Sequence, residues 1–145
     1  DVGFNAITSA PTCMAFLDPE WDQTQTVPPS NLASTSGGTL VTLNWSPIVY
    51  QGDPGYYEIS YRQAGGSFRV HGTTTGKDVA TYRVTCLRPN TNYEFRVRTF
   101  TAAHIDPPAY QVNDLWSDYT VISARTLPSG NEPTCSVFFP FMSKR

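Results

Sequence analysis

A turn that leads directly into an alternating strand constrains the fold of this chain more than any other feature. The turn, Leu87 to Tyr93, contains a proline and two asparagines, which are residues that favour turns. After it, the apolar residues Phe95 and Val97 alternate with charged residues. A period of two places the apolar side chains on one face of a strand. We therefore predict a half-buried strand over residues 92–101.

Six other segments have strand-like alternation or composition, and none has a convincing helical pattern. We predict these strands over residues 31–34, 39–45, 56–62, 67–73, 81–86 and 118–126. Their inward-facing side chains, together with those of residues 92–101, should form the core: Val41, Leu43, Trp45, Tyr57, Ile59, Tyr61, Tyr82, Val84, Tyr93, Phe95 and Val97. Seven short patterned strands predict an all-β sandwich.

Three motifs together resemble a fibronectin type III domain. They are Thr42-Leu43-Asn44-Trp45, the L-x-P-x-T-x-Y pattern from Leu87 to Tyr93, and Ala124-Arg125-Thr126-Leu127-Pro128. The resemblance implies a seven-stranded, immunoglobulin-like β-sandwich of about 100 residues. It would occupy residues 28–128, with an N-terminal docking extension over 1–27 and an apolar C-terminal tail over 129–145.

The resemblance also implies the roles of four fold-defining residues. Trp45 would fill the core, Leu87 would close one end of the sandwich, and Pro89 would fix the turn. The ring of Tyr93 would pack in the core while its hydroxyl bonds back to the preceding backbone.

Catalytic chemistry has little support in the sequence. Domains of this kind bind, space or assemble, and very rarely catalyse. His71 and His104 lie in no nucleophile or metal motif, and the cysteines lack C-x-x-C spacing. We expect no catalytic residue, no metal site and no cofactor.

Composition favours an extracellular protein with no nucleic-acid partner. The net charge is −2, which gives no electrostatic case for nucleic acid or an anionic membrane. No apolar run reaches the 18 or more residues of a membrane span. The chain opens at Asp1, so we interpret it as a processed form or an excised fragment. The apolar-then-basic ending weakly resembles those of some secreted bacterial proteins, which favours a cell-surface location.

Three cysteines leave the disulfide pairing open. Cys13 and Cys135 share the pattern P-T-C-x-x-F, which favours a bond between them, as in a secreted protein. The alternative joins Cys86 to Cys135, because the resemblance places the end of the last strand near the turn before residue 92. Each pairing leaves one thiol over.

Two surface features could serve recognition. Loops 47–55 and 103–116 would share one end of the sandwich and bring together four rings: Tyr50, His104, Tyr110 and Trp116. Aromatic loops suit sugar stacking or protein contact, although the same rings could simply cover the core. The outward arginines Arg62, Arg69, Arg96 and Arg98 alternate with Glu58 and Glu94, for which cross-strand ion pairing is the favoured interpretation.

The terminal segments carry large apolar residues for which a sandwich of this size has no spare core. Left in water they would form a hazardous exposed patch. We predict that they mediate head-to-tail assembly with other copies, as in a filament or surface-layer subunit. Docking of the tails on the edges of their own sheets is the other arrangement, and it would protect those edges. The alternative function is an accessory binding or spacer domain of a larger secreted enzyme or adhesin, which contacts a surface protein or polysaccharide. The predicted assembly residues are Phe16, Leu17, Trp21, Val137, Phe138, Phe139 and Phe141.

Overall fold

Two antiparallel sheets form the fold in a computed structural model that describes residues 5–9, 21–103 and 113–128. The elements are a 3-10 turn at Trp21–Thr24, β1 (Ser30–Ser36), β2 (Val41–Ser46), β3 (Gly55–Gln63), β4 (Arg69–Thr73), β5 (Thr81–Val84), β6 (Asn92–Thr101), β7 (Leu115–Trp116) and β8 (Thr120–Arg125). One sheet has the order β1-β2-β5, and the other has the order β4-β3-β6, with β7 and β8 both paired along β6. This arrangement confirms the predicted all-β sandwich.

A short strand that was not predicted precedes the last predicted strand. The predicted segment 118–126 contains the continuous strand β8, and β7 pairs with β6 ahead of it. Between them, the amide of Thr99 donates to the hydroxyl of Ser117 at 2.9 Å. Because a side chain takes the place of a main-chain carbonyl there, the regular ladder stops and resumes at Thr120.

Alternation along β6 builds the core as predicted. Every second side chain of this strand is buried, from Tyr93 to Thr101. Trp45 is 5% exposed and meets Tyr57 edge to face, with ring centres 5.2 Å apart. Tyr61 and Tyr82 were expected to be buried but are only partly so. The buried apolar residues are Val41, Leu43, Trp45, Ile48, Tyr50, Tyr57, Ile59, Val84, Leu87, Tyr93, Phe95 and Val97.

The turn before β6 is closed by the tyrosine that the sequence singled out. Arg88 donates its amide to the hydroxyl of Tyr93 at 2.9 Å. Asn90 has a φ of 53° and donates its amide to the carbonyl of Leu127. Pro89 lies exposed between them. The turn is therefore tied both to the core and to the chain that follows β8.

The described part of the N-terminal extension packs on its own sandwich. Gln25 and Thr26 are almost fully buried. The hydroxyl of Thr26 donates to that of Thr101 at 2.8 Å, and its amide donates to the carbonyl of Asn5. Thr120 donates its hydroxyl to the carbonyl of Pro29. These bonds tie the chain before β1 to β6 and β8.

The connections divide the sandwich into two ends. The loop end carries the β2–β3 and β4–β5 connections, residues 47–54 and 74–80. The turn end carries the β1–β2, β3–β4 and β5–β6 connections, residues 37–40, 64–68 and 85–91. Both ends gather side chains from segments that are distant in sequence.

Candidate functional site

A cleft of about 700 Å³ opens at the loop end, and we call it the end cleft. Both connections of that end contribute to it, together with the last residues of β6. Its lining residues are Gln51, Gly52, Asp53, Pro54, Gly55, Tyr56, Thr75, Gly76, Lys77, Asp78, Phe100 and Ala102.

Lys77 lies in the wall of the end cleft and is only 3% exposed. Its ammonium group is 4.3 Å from the centre of the Tyr50 ring and 3.5 Å from the hydroxyl of Thr101. Burial lowers the pKa of Lys77 to about 8, although the nearby charge of Asp53 opposes this shift. A cation is thus held mainly by an aromatic face, which stabilises it less fully than water does.

The buried side chain of Tyr57 holds together the two loops that form the end cleft. Its hydroxyl accepts the amide of Ile48 at 2.9 Å and donates to the carbonyl of Lys77 at 2.8 Å. Burial raises the pKa of Tyr57 above its ordinary value. One buried hydroxyl therefore joins the two loops, and the side-chain amide of Gln51 donates further hydrogen bonds to the carbonyls of Ile48 and Lys77. The cleft is preformed by the core.

Of the four aromatic residues predicted to meet at the loops, Tyr50 and Trp116 are described, and they lie in different environments. Tyr50 is buried, its ring covers Lys77, and its hydroxyl donates to Asp53. Trp116 is on β7, 36% exposed, and packs on Phe100 with ring centres 4.7 Å apart. His104 and Tyr110 lie outside the described residues. Two rings that were not singled out, Tyr56 and Phe100, stack at 4.7 Å and line the end cleft.

The outer face of the larger sheet carries alternating arginines and rings, which we call the arginine ladder. Arg98 lies 3.9 Å from the Trp116 ring and 4.8 Å from Tyr119, while Arg96 lies 3.9 Å from Tyr119 and 4.1 Å from Phe68. The predicted cross-strand ion pairs are confirmed: Arg62 with Glu94, and Arg98 with Glu58 at 3.0 Å.

Sequence reasoning missed the ring partners of the arginine ladder. Phe68 precedes β4 and Tyr119 lies between β7 and β8, so both stand just outside the strands of the structure, although the predicted strands 67–73 and 118–126 contained them. The sequence contains one signal for these contacts: aromatic residues lie beside strands of the sheet that contains the arginine-rich strand β6. The ladder is a structural feature, because its arginines are occupied by rings or carboxylates.

A second concavity lies at the turn end and is basic; we call it the basic pocket. It has a volume of about 320 Å³. Arg69 and Arg88 are its charged lining residues, and both are exposed. Tyr93, whose hydroxyl holds the amide of Arg88, lines the same pocket. The complete described lining is Tyr61, Gln63, Gly66, Ser67, Arg69, Cys86, Arg88 and Tyr93.

Charge is therefore segregated between the two ends in the described part of the chain. The loop end has three carboxylates, Asp53, Asp78 and Asp114, and its one cation, Lys77, is buried. The turn end has Arg69, Arg88 and Arg125 exposed, besides the Arg62–Glu94 ion pair. A molecule with opposite charges at its two ends can attract a second copy end to end.

The predicted cysteine bond lies beyond the described residues, since neither Cys13 nor Cys135 is among them. Cys86 is described, and it is disulfide-bonded. This state favours the alternatives in which Cys86 is paired over the predicted Cys13–Cys135 bond. The predicted assembly residues Phe16, Leu17, Val137, Phe138, Phe139 and Phe141 also fall outside the described ranges, and of Trp21 only the backbone is described.

Within residues 5–9, 21–103 and 113–128, no group of three His, Cys, Asp or Glu side chains could hold a metal ion. In the same ranges no helix is long and apolar enough to cross a membrane. His71 is occupied structurally, since its Nε2 accepts the amide of Thr85 at 3.3 Å and its Nδ1 lies 3.1 Å from the hydroxyl of Tyr82.

Comparison with known proteins identifies the family. The model of the fibronectin type III domain matches residues 27–114, more than half of the chain. This chain belongs to the fibronectin type III family. A similar solved structure is that of the chicken CNTN1 FN1-FN3 domains, with 17% identity and a TM-score of 0.56. The match covers 70% of this chain and 31% of that chain, so it shows the fold alone. No curated protein matches the sequence.

Membership in this family sets the general role. Fibronectin type III domains are common in extracellular and surface proteins, where they bind or space other domains and mediate protein contacts. They are typically non-catalytic. The end cleft and the basic pocket are the features of this fibronectin type III domain that could give it a particular partner.

Proposed function

We propose that this fibronectin type III domain is an extracellular, non-catalytic module that associates head to tail with further copies of itself. The loop end of one copy would face the turn end of the next. The observation that carries the proposal is the segregation of exposed carboxylates and exposed arginines to opposite ends of one sandwich.

The two ends differ in shape as well as in charge. The end cleft is lined by Asp53 and Asp78, whereas the basic pocket is lined by Arg69 and Arg88. A contact between two different surfaces is heterologous, and it propagates into an open filament when the rotation does not close a ring. Charge complementarity mainly raises the rate and specificity of such contacts.

Apolar contact would have to add affinity, because exposed ion pairs contribute only about 0–1 kcal/mol each. Val70 on β4 and Val121 on β8 are each 57% exposed, and both lie on edge strands of the larger sheet. The terminal segments would supply the remainder, through Phe16, Leu17, Trp21, Val137, Phe138, Phe139 and Phe141, as the sequence predicts.

Light scattering after size-exclusion chromatography tests the proposal. The average mass should rise with protein concentration, and the rise should weaken at high salt, which screens exposed charges. Replacing both Arg69 and Arg88 with Glu should abolish it. The matched control is Arg83→Glu, an exposed arginine on β5 that lines neither concavity. A constant monomer mass for the unaltered protein would contradict self-association.

A second candidate function is binding of a polysaccharide, or of a surface protein, by an accessory or spacer domain. The observation that favours it is the stacked pair Tyr56 and Phe100, which lines the end cleft beside the polar side chains of Asp53 and Gln51. Aromatic rings next to hydrogen-bonding groups suit a sugar ring. Affinity electrophoresis through gels containing neutral xylan or β-glucan tests this, with Tyr56→Ala expected to lose any retardation.

A further inference from the structure

We infer that the free edge of β8 is a docking surface for β8 of a second copy, which pairs with it antiparallel. β8 is an edge strand, since β6 lies on one side of it and no strand of the described residues lies on the other. Such an edge presents main-chain N–H and C=O groups that can pair with another chain. This lateral contact is independent of the end-to-end contact proposed above.

The edge of β8 is open beyond its first residue. The hydroxyl of Thr120 donates to the carbonyl of Pro29, so the segment before β1 reaches the start of the strand. Beyond that point in the described part of the chain, the strand has its ladder with β6 and one side-chain hydrogen bond from Arg125. Val121 is 57% exposed, and Ser123 and Arg125 are exposed as well. Most of the strand is therefore accessible to a second chain.

Three other edge strands carry features that discourage such pairing, and β8 does not. The register of β1 shifts between Ser30 and Ala33, as at a bulge. The ladder of β4 also shifts, and β4 begins with Arg69. β5 has only four residues, one of which is Arg83. Bulges, charges and short length are ordinary protections of an edge. In contrast, β8 pairs with β6 without a shift, and its one charge is the terminal Arg125.

The sequence of β8 is complementary to itself in the antiparallel direction. Side chains that stand directly opposite lie on the same face of a sheet. This condition is met when Ser123 stands opposite Ser123 of the second copy. Val121 then stands opposite Arg125, whose aliphatic stem can cover it. Ile122 stands opposite Ala124, and both belong to the face that packs on the core. No like charges are opposed.

Antiparallel pairing also sets opposite charges side by side. β8 follows β7, which pairs at the loop end of β6, and it finishes at the turn end, where Arg125 pairs with Asn92 in the ladder. The exposed Asp118 precedes the strand. Neither Asp118 nor Arg125 forms an ion pair within the described ranges. In two antiparallel copies, each Arg125 lies nearest the end that carries Asp118 of the other. This complementarity favours a second copy over an unrelated extended peptide.

The lateral contact can be separated from the end-to-end contact by concentration and by salt. A contact made by one short strand is small and has no buried aromatic anchor, so it is weak. It should be populated only at protein concentrations above those at which the end contact forms. High salt screens the exposed charges of the ends but leaves main-chain hydrogen bonds in place.

Amide hydrogen exchange followed by nuclear magnetic resonance tests the edge at high salt. The sample is the full, oxidised chain, both unaltered and with Arg69→Glu and Arg88→Glu, which remove the end contact. In both, exchange of alternate amides within residues 121–125 should slow as the protein concentration rises. Light scattering of the doubly altered chain should approach the mass of a dimer and no more.

Charge variants at Ser123 test the register. Ser123→Lys and Ser123→Glu should each raise the dissociation constant of the dimer by about fivefold or more, because like charges then stand opposite each other. An equimolar mixture of the two should restore pairing. The matched control is Thr73→Lys, which adds the same charge at an exposed position on β4, the other edge of the same sheet. It should leave the dissociation constant unchanged.

Any of three results would overturn the inference. The first is amide exchange within residues 121–125 that is independent of protein concentration. The second is a loss of pairing in Thr73→Lys equal to that in Ser123→Lys. The third is a mixture of the two Ser123 variants that pairs no more tightly than either alone. An unaltered protein that pairs through β8 but never exceeds the dimer mass would retain the lateral contact and refute the end-to-end contact.

Discussion

The ammonium group of Lys77 lies 4.3 Å from the centre of the Tyr50 ring, and Lys77 is only 3% exposed. The two residues come from different loops, so this contact joins the two walls of the end cleft. Burial holds the pKa of Lys77 near 8, well below its ordinary value of 10.5.

The depressed pKa of Lys77 predicts a rise in stability with pH. Between about pH 8 and 10 the unfolded chain binds a proton at Lys77 that the folded chain does not bind. The free energy of unfolding should therefore increase across this window by about 2–3 kcal/mol. The raised pKa values of Tyr50, Tyr57, Tyr82 and Tyr119 act in the opposite direction as the pH approaches and passes 10, and they do so equally in a variant that lacks Lys77. Urea unfolding at pH 8 and pH 10 measures the rise, and Lys77→Met should remove it. An equal rise in that variant would rule Lys77 out as its source.

His71 predicts a loss of stability in acid. Burial lowers its pKa below the ordinary value of 6.5, and its Nε2 accepts a hydrogen bond from the Thr85 amide, which requires an unprotonated nitrogen. The unfolded chain therefore takes up a proton first, so stability that is present above pH 6.5 is lost as pH falls. Thermal melting at pH 7.5 and pH 5 should show a smaller acid shift for His71→Gln than for the unaltered protein. Identical shifts would exclude His71 as the cause.

Tyr93→Phe should lower the free energy of unfolding by about 1 kcal/mol, because the Arg88 amide loses its acceptor while the ring stays in the core. Denaturant unfolding measures the change. Tyr56→Phe is the control, since it also removes a phenol hydroxyl, from a ring that stacks on Phe100 at the surface of the sheet. A cost in the control equal to that of Tyr93→Phe would contradict the role assigned to the Arg88–Tyr93 bond.

Arg96→Lys should destabilise the domain by about 1 kcal/mol while keeping the charge. The guanidinium group of Arg96 lies over two rings, those of Phe68 and Tyr119. A lysine has no planar group that could stack on both rings. The control is Arg69→Lys, at an exposed position on the same sheet. Unfolding in urea measures both. If the two variants lose equal stability, the arginine ladder does not stabilise the fold.

Much of the fold could be predicted from the sequence because local pattern and tertiary position agree. Along β6, alternation alone identifies the buried side chains, and its bounds of Asn92–Thr101 match the prediction. Trp45 and Tyr93 were identifiable since each occupies a fixed place in a recognisable motif. The split between β7 and β8 was not predictable, because it depends on one side-chain hydroxyl, that of Ser117.

The candidate sites were far less predictable, because they depend on which loops meet at each end. A lysine in a loop is ordinarily exposed, so only the packing of Tyr50 over Lys77 shows that this one is buried. Arg69 and Arg88 are nineteen positions apart, and nothing local indicates that both line one pocket. The fold, rather than the spacing of residues, brings each pair together.

The most direct test of head-to-tail association is a charge exchange between the two ends. One variant carries Arg69→Glu and Arg88→Glu at the turn end, and the other carries Asp78→Lys and Asp114→Lys at the loop end. Each alone should remain monomeric or nearly so, because like charges then meet at the contact. Mixed in equal amounts they should associate again, since the acidic turn end of the first then meets the basic loop end of the second. Light scattering of the mixture at low salt should show a mass above that of either variant alone. A mixture that stays at the monomer mass, while the unaltered protein associates, would contradict contact between these two ends.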